Sequence, residues 1–326
     1  VALGHLHQFV RSGVVAGHHV ENTMNLLLAV TFALHYQTPL TAHELAWFAR
    51  FDVLVTHDPL PHAQVKALHE AGTKLYLYEW AVAFYETRAT PWERSLIHTN
   101  ALLNATPLRG GAGSNDADAW YFDPVNARGR AKALARKLRR AGYDGVFLDT
   151  TRAENVLPAA LDEFARRHPG IGYDAALAKF LAALRREHVL IFTNQGYRDA
   201  EHYLPYADWD LTESLIGDRP LHEVRHWFEQ IPKYPNVQRG HLEYANVERT
   251  IAIAKMFDGA GYVGNVESPL YFADLGAPLG ERVDRGDASY RLFANGVVAV
   301  NDSSEALQIG ELTVAPGASI VRVTKR

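Results

Sequence analysis

The chain has 326 residues, 48% of them hydrophobic and 21% charged, with a formal net charge of −4. That length can bury one barrel of about 250 residues plus a small appendage, and the near-neutral balance gives no bulk electrostatic reason to expect a nucleic acid or an anionic membrane as partner. There is no cysteine, which excludes disulfides, thiolate nucleophiles and cysteine-ligated metals, and no apolar run approaches the roughly 20 residues that span a bilayer.

Residues 1–23 lack periodicity and read as a leader or extension outside the core. Met24 is then a candidate natural start, which would make the protein cytoplasmic; otherwise secretion stays open. The apolar run 26–34 has the length of a secretory core segment. It lacks a basic flank, however, and is followed by His35-Tyr36 rather than small residues, so it reads as a buried strand.

From there the sequence repeats one pattern: a short apolar run, a polar residue at its end, then an amphipathic helix. Strands are predicted at 26–33, 52–56, 74–78, 145–148, 189–193, 210–212, 240–243 and 262–265. Several are rich in Val, Leu, Ile and Phe without alternation, as expected of a parallel sheet covered on both faces. Helices are predicted at 43–50, 63–71, 125–140, 157–167, 175–187 and 247–258. In 125–140, Ala131, Leu134, Ala135 and Leu138 form the apolar stripe, Arg128, Arg130, Lys132, Arg136, Lys137, Arg139 and Arg140 cover the remainder, and Gly142 ends the helix. No GxGxxG turn follows any strand, so a closed barrel is favoured over an open dinucleotide-binding sheet. The expected fold is an α/β (β/α)8 TIM barrel over 24–287, with a small antiparallel β appendage over 288–326. That appendage has strands at 290–294, 297–301, 306–309 and 320–323 and a type I′ turn at Asn295-Gly296. The Gly-rich stretch 104–118 is expected to be mobile; it lacks the setting of a P-loop and could close over a cleft.

Barrel chemistry sits at the C-terminal strand ends. There the sequence places His35, Tyr36, His57, Asp58, Glu79, Trp80, Asp149, Asn194, Gln195, Glu213, Glu243 and Glu267, with Tyr197 close behind. Carboxylates dominate, and a carboxylate directly after Val-Phe-Leu costs desolvation unless it faces a polar cleft. Asp149 could alternatively cap a helix, and Glu213 could sit in a salt bridge to an arginine. A pair of acids suits glycosidic cleavage, in which one protonates the leaving oxygen and the other attacks the anomeric carbon or activates water. Aromatic side chains at Tyr36, Trp80, Tyr197, Trp209 and Tyr244 could stack on sugar faces or simply pack the core.

GYDGVFLDT at 142–150, the preceding WYFDP at 120–124, IFTNQGY and LTESL together resemble glycoside hydrolase family 114 and related α-galactosidase-like barrels over roughly 50–270. The ending YRLFANGVVAVND resembles the β-segment that follows such barrels. The resemblance implies a hydrolase of an α-linked oligo- or polysaccharide, amino sugars included, with no cofactor and no metal. It assigns the nucleophile to Asp149 and the general acid/base to Glu213. Asp123 matches the acidic position of the family's W-x-x-D segment, where it would line the cleft; it could also cap the helix that follows. The first two strands end in ALHY and VTHDPLP, which depart from the polygalactosaminidase pattern and leave the sugar open. Sixteen histidines raise a metal-dependent amidohydrolase as a rival, but His35 stands alone at its strand end, and the His5-x-His7 and His18-His19 pairs lie in the leader. A non-catalytic sugar-binding barrel is the other alternative. The basic helix 125–140 reads as a solvated outer face rather than a nucleic-acid element. Carbohydrate is therefore the expected partner; the sequence does not specify oligomeric state.

Overall fold

Eight short apolar segments pair side by side in parallel: β1 (Phe32–His35), β2 (Val53–Thr56), β3 (Lys74–Trp80), β4 (Gly145–Asp149), β5 (Leu190–Asn194), β6 (Trp209–Glu213), β7 (Gln238–Glu243) and β8 (Ala260–Val263). β1 and β8 lie alongside each other, bringing the sheet round into a (β/α)8 barrel. The computed structural model describes residues 30–97, 99–108, 119–217, 219–232, 234 and 236–324. Residues 1–29, with Met24 and the histidine pairs, lie outside the described residues. So does 109–118, most of the stretch expected to be mobile. Within the described part of that stretch, Asn104 is buried and donates to the carbonyls of Thr106 and Ala119 while accepting from the Tyr121 amide.

Aromatic rings fill the barrel. Phe32 lies 5.8 Å from Phe192, 6.0 Å from Trp209 and 5.9 Å from Tyr262, and Phe147 lies 5.2 Å from Phe192. Gly240 leaves the room they need: a Cβ there would meet Leu211, Phe32 and Phe192 at 3.0, 3.1 and 3.2 Å. Because strand side chains alternate, these interior residues fix which neighbours two positions on reach the barrel mouth.

The helices cover the outside: α1 (Ala42–Phe48), α2 (His62–Glu70), α3 (Pro91–Leu96), α4 (Ala127–Ala141), α5 (Pro158–Arg167), α6 (Tyr173–Arg186), α7 (Ala200–Tyr203), α8 (Leu221–Gln230) and α9 (Val247–Met256). α1 and α3 start in capping boxes, Thr41 with Glu44 and Thr90 with Glu93. α4 ends at Gly142 in the left-handed conformation, as its sequence predicts.

Arg130 departs from the expectation of a solvated basic face. It is fully buried, donates to Glu93 Oε1 at 3.0 Å and to the carbonyls of Ala81, Trp80 and Ala83 at 2.5, 2.6 and 3.0 Å. Those three carbonyls lie where β3 ends and the ribbon Ala83–Tyr85, paired with Ala119–Tyr121, begins. A guanidinium has the five donors needed to satisfy such a bend.

The appendage begins earlier than expected, with β9 (Val283–Arg285), followed by β10 (Ala288–Phe293), β11 (Gly296–Asn301), the hairpin β12 (Leu307–Ile309) and β13 (Leu312–Val314), and β14 (Ser319–Val323). The β10–β11 turn is Ala294-Asn295, and neither residue has positive φ, so the expected type I′ turn at Asn295-Gly296 is not formed. Gly296 is already in the strand, where a Cβ would fall 2.2 Å from the Arg322 carbonyl oxygen. Its role is close packing. Val298, Val300 and Val321 join the barrel core, and Arg249 of α9 grips Asp302 at 2.6 and 2.9 Å.

Arg130→Leu should lower stability by about 3–5 kcal/mol, because Glu93 and three carbonyls lose a buried partner. Urea unfolding tests this; a midpoint within error of the parent contradicts the assigned role.

Candidate active site

Counting two residues on from interior-facing Phe147, Phe192 and Leu211 gives Asp149, Asn194 and Glu213, on one side of three adjacent strands. The same count on the other strands brings Tyr36, His57, Tyr78 and Tyr244 to the mouth. Tyr36, His57, Tyr78, Asp149, Asn194 and Glu213 line an open cleft of about 440 Å3, together with Thr150, Arg152, Asn155 and Gln195.

At its floor one amide joins both acids. Asn194 Nδ2 donates to Asp149 Oδ1 at 2.8 Å and to Glu213 Oε2 at 2.9 Å. Asp149 Oδ1 also accepts from the Thr150 amide at 2.7 Å, and its Oδ2 accepts from the Tyr78 hydroxyl. Glu213 Oε1 accepts from the Tyr244 hydroxyl at 2.6 Å, and Tyr244 in turn shares a hydrogen bond with Tyr36. Burial and the adjacent carboxylates hold the Tyr78 and Tyr244 phenols well above the usual tyrosine range, so both remain donors at neutral pH. His57 contacts Arg88 Nη1 through its ring nitrogens, at 2.7 Å for Nε2, and Arg88 also donates to the Tyr78 carbonyl. Burial, and then the Arg88 charge, push His57 below its ordinary value, so a neutral imidazole faces the cleft.

Each of the three strands that end in the central trio is left through a left-handed residue: Thr150 (φ 55°), Gln195 (φ 59°) and Ser214 (φ 56°). Positive φ is uncommon outside glycine and a clear outlier for β-branched threonine; strain of this kind, about 1–3 kcal/mol per residue, clusters at functional sites. Outward-facing acids hold the turned loops. Asp210 accepts from Thr193 Oγ1 at 2.7 Å and from the amides of Gly196 and Tyr197 at 2.8 and 3.0 Å, beneath the loop after Asn194. Glu243 accepts from the Ile216 amide at 2.6 Å, and from those of Leu215 and Gly217, beneath the loop after Glu213.

Of the residues singled out in the sequence, Asp149, Glu213, Asn194, Gln195, Tyr36 and His57 therefore meet in one cleft. The others do not line it. Glu79 faces outward and pairs with Lys137 at 2.5 Å. Trp80 is buried against Tyr85. Asp123 is buried, accepts from the Val125 amide and pairs with His168 at 2.9 Å, the capping role left open above. Asp58 is half exposed beside His57 and Arg88. Tyr197 is buried, and Glu243 serves the loop already described. Glu267 is an exposed partner of His43 at 2.8 Å. Gln195, read with Asn194 at its strand end, lines the cleft as well, whereas Tyr78, Thr150, Arg152 and Asn155 escaped the sequence reading, as did the hydrogen-bonding role of Tyr244. The available signal was parity: Glu79 and Glu243 sit one residue away from the inward positions held by Tyr78 and Tyr244. Among the described residues, no group of three or more His, Asp or Glu side chains could hold a metal ion, and no helix is long and apolar enough to cross a membrane.

No protein-family model matches the chain, and no curated protein matches it. Solved structures do. The glycoside hydrolase domain of PelA from Pseudomonas aeruginosa is similar over 72% of this chain and 94% of its own, with a TM-score of 0.50 at 20% identity. Aspergillus fumigatus Ega3, solved in complex with galactosamine, covers 73% of this chain and 91% of its own, with a TM-score of 0.50 at 12% identity. The glycoside hydrolase family 36 α-galactosidase AgaA from Geobacillus stearothermophilus, solved with 1-deoxygalactonojirimycin, covers 86% of this chain and half of its own, with a TM-score of 0.51 at 11% identity. At these identities the likeness establishes the barrel fold.

Burial pushes Asp210 up to about 7 against the pull of its three donors. The folded protein then keeps a proton that the unfolded chain releases near pH 4. Protons bound in the folded state exceed those in the unfolded state between about pH 4 and 7, so stability from this group falls as pH rises through that window, by at most about 1.4 kcal/mol per unit. Asp210→Asn should flatten that part of the profile in urea unfolding between pH 5 and 7; an unchanged slope contradicts it.

Proposed function

We propose that this protein is a glycosidase that cleaves an α-linked oligo- or polysaccharide, with galactose-type and amino-sugar polymers the first candidates, by a two-carboxylate mechanism with net retention. The observation that carries the reading is the shared Asn194 amide. Oxygens held 2.8 and 2.9 Å from one nitrogen, one on each side of its NH2 group, would stand about 5 Å apart, a spacing that favours retention over inversion. The sugars in the Ega3 and AgaA structures, galactosamine and a galactose-like iminosugar, support the substrate class.

In this mechanism Asp149, which accepts three hydrogen bonds to Glu213's two, is the carboxylate that attacks the anomeric carbon as the glycosidic C–O bond breaks. Glu213 gives its proton to the departing oxygen. In the second step Glu213 takes a proton from water, the water oxygen bonds to the anomeric carbon, and Asp149 leaves with its electron pair. Tyr78, Thr150 and Asn194 hold Asp149 in place, while Tyr244 and Asn194 hold Glu213. Tyr36 and His57 supply a ring face and a neutral hydrogen-bonding edge to the sugar.

A panel of α-1,4-linked galactose, galactosamine and N-acetylgalactosamine oligomers, followed by reducing-end release, tests the reading. The wild type should cleave at least one of them. Asp149→Asn and Glu213→Gln should each lower kcat/KM by about 10³-fold or more while keeping the parent circular dichroism. Binding of a sugar without cleavage, unchanged in both variants, would make this a binding protein instead.

A further inference from the structure

The loop after β4 carries a cation that the two-acid chemistry does not use. Arg152, three residues beyond Asp149, lines the cleft with a side chain only 16% exposed. Its Nε and Nη1 are buried and have no hydrogen-bond partner. The acid within ion-pairing distance is Glu154, 3.1 Å from Nη1, whose side chain is 74% exposed and whose attraction water therefore screens. Arg198, exposed on the loop after β5, lies near enough to oppose the Arg152 charge. Nearby, Gln195 Oε1 is a buried acceptor without a donor. Buried polar atoms are ordinarily paired, so an under-compensated guanidinium beside an empty-handed acceptor describes a place made for another molecule's groups.

We propose that Arg152, with Gln195 and Asn155, forms a subsite for an anionic sugar unit, a carboxylate- or sulfate-bearing residue adjacent to the one cleaved between Asp149 and Glu213. The planar guanidinium fork matches an oxyanion in two-point contact, and Gln195 Oε1 accepts from a ring hydroxyl of the same unit. The free ammonium of a galactosamine unit would be repelled at this position. The inference rests on the glycosidase reading for its location but concerns a separate property, the charge of the neighbouring unit.

Equilibrium binding of α-linked galacturonic acid, sulfated galactose, neutral galactose and galactosamine trisaccharides to the full chain tests it, alongside hydrolysis of the same four. The expected result is at least tenfold tighter binding of an anionic trisaccharide than of galactosamine. Arg152→Gln should weaken the anionic ligand about tenfold or more and the neutral one less than threefold, while Arg152→Lys keeps part of the preference. The uronic and sulfated arms distinguish the two sources of negative charge. Tightest binding to galactosamine, or an anionic affinity untouched by Arg152→Gln in a protein of parent circular dichroism, overturns the subsite and leaves the glycosidase reading standing. Failure to bind or cleave any of the four overturns both.

Discussion

Two carboxylates drawn to one nitrogen at the mouth of a barrel repel each other whenever both are ionised. Here the Asn194 side chain lies between them and offers one hydrogen to each. The orientation of that amide is fixed by its neighbours, since exchanging its oxygen and nitrogen would set an acceptor against two acceptors. The rest of the site follows from this placement. Tyr78 and Tyr244 complete the donor shell on the outer sides of the two acids, and the left-handed residues Thr150, Gln195 and Ser214 turn the chain away directly after each member of the trio.

The barrel supplies the placement through alternation and support. Interior rings on alternate positions set the side of each strand, so the residue two beyond the last ring reaches the mouth. The outward neighbours are used as well. Asp210 on β6 holds the loop after β5, and Glu243 on β7 holds the loop after β6, each by accepting from consecutive backbone amides. The ends of β5 and β6 are thus each secured by an acid on the next strand, and buried Arg130 does the corresponding work where β3 bends into its ribbon.

Most of the architecture was legible in the sequence because eight apolar runs alternating with amphipathic helices admit few arrangements. β1 is Phe32–His35 and shares 32–33 with the strand expected at 26–33, of which 26–29 lie outside the described residues. Asp149, Glu213, Asn194, Tyr36 and His57 were found because they end strands. Glu79 and Glu243 looked equivalent by that rule and point elsewhere, because a strand end exposes two faces and only one belongs to the cleft; Asp123, singled out by its W-x-x-D setting, caps the turn that follows instead. Tyr78 was passed over for the opposite reason: a tyrosine closing an apolar run reads as core until the hydroxyl is seen on Asp149. Arg130 shows the limit of helical patterning, for a buried cation on an otherwise solvated face is visible only once the three carbonyls it serves are in place.

The spacing of the acids is the account's central claim, and it has a stereochemical consequence. Proton NMR of the first sugar released from an α-linked substrate, read before mutarotation, should show the α-anomer and change to the equilibrium mixture afterwards. A β-anomer as first product would mean that water attacks directly across a wider gap, and would contradict the arrangement of Asp149, Asn194 and Glu213 described above.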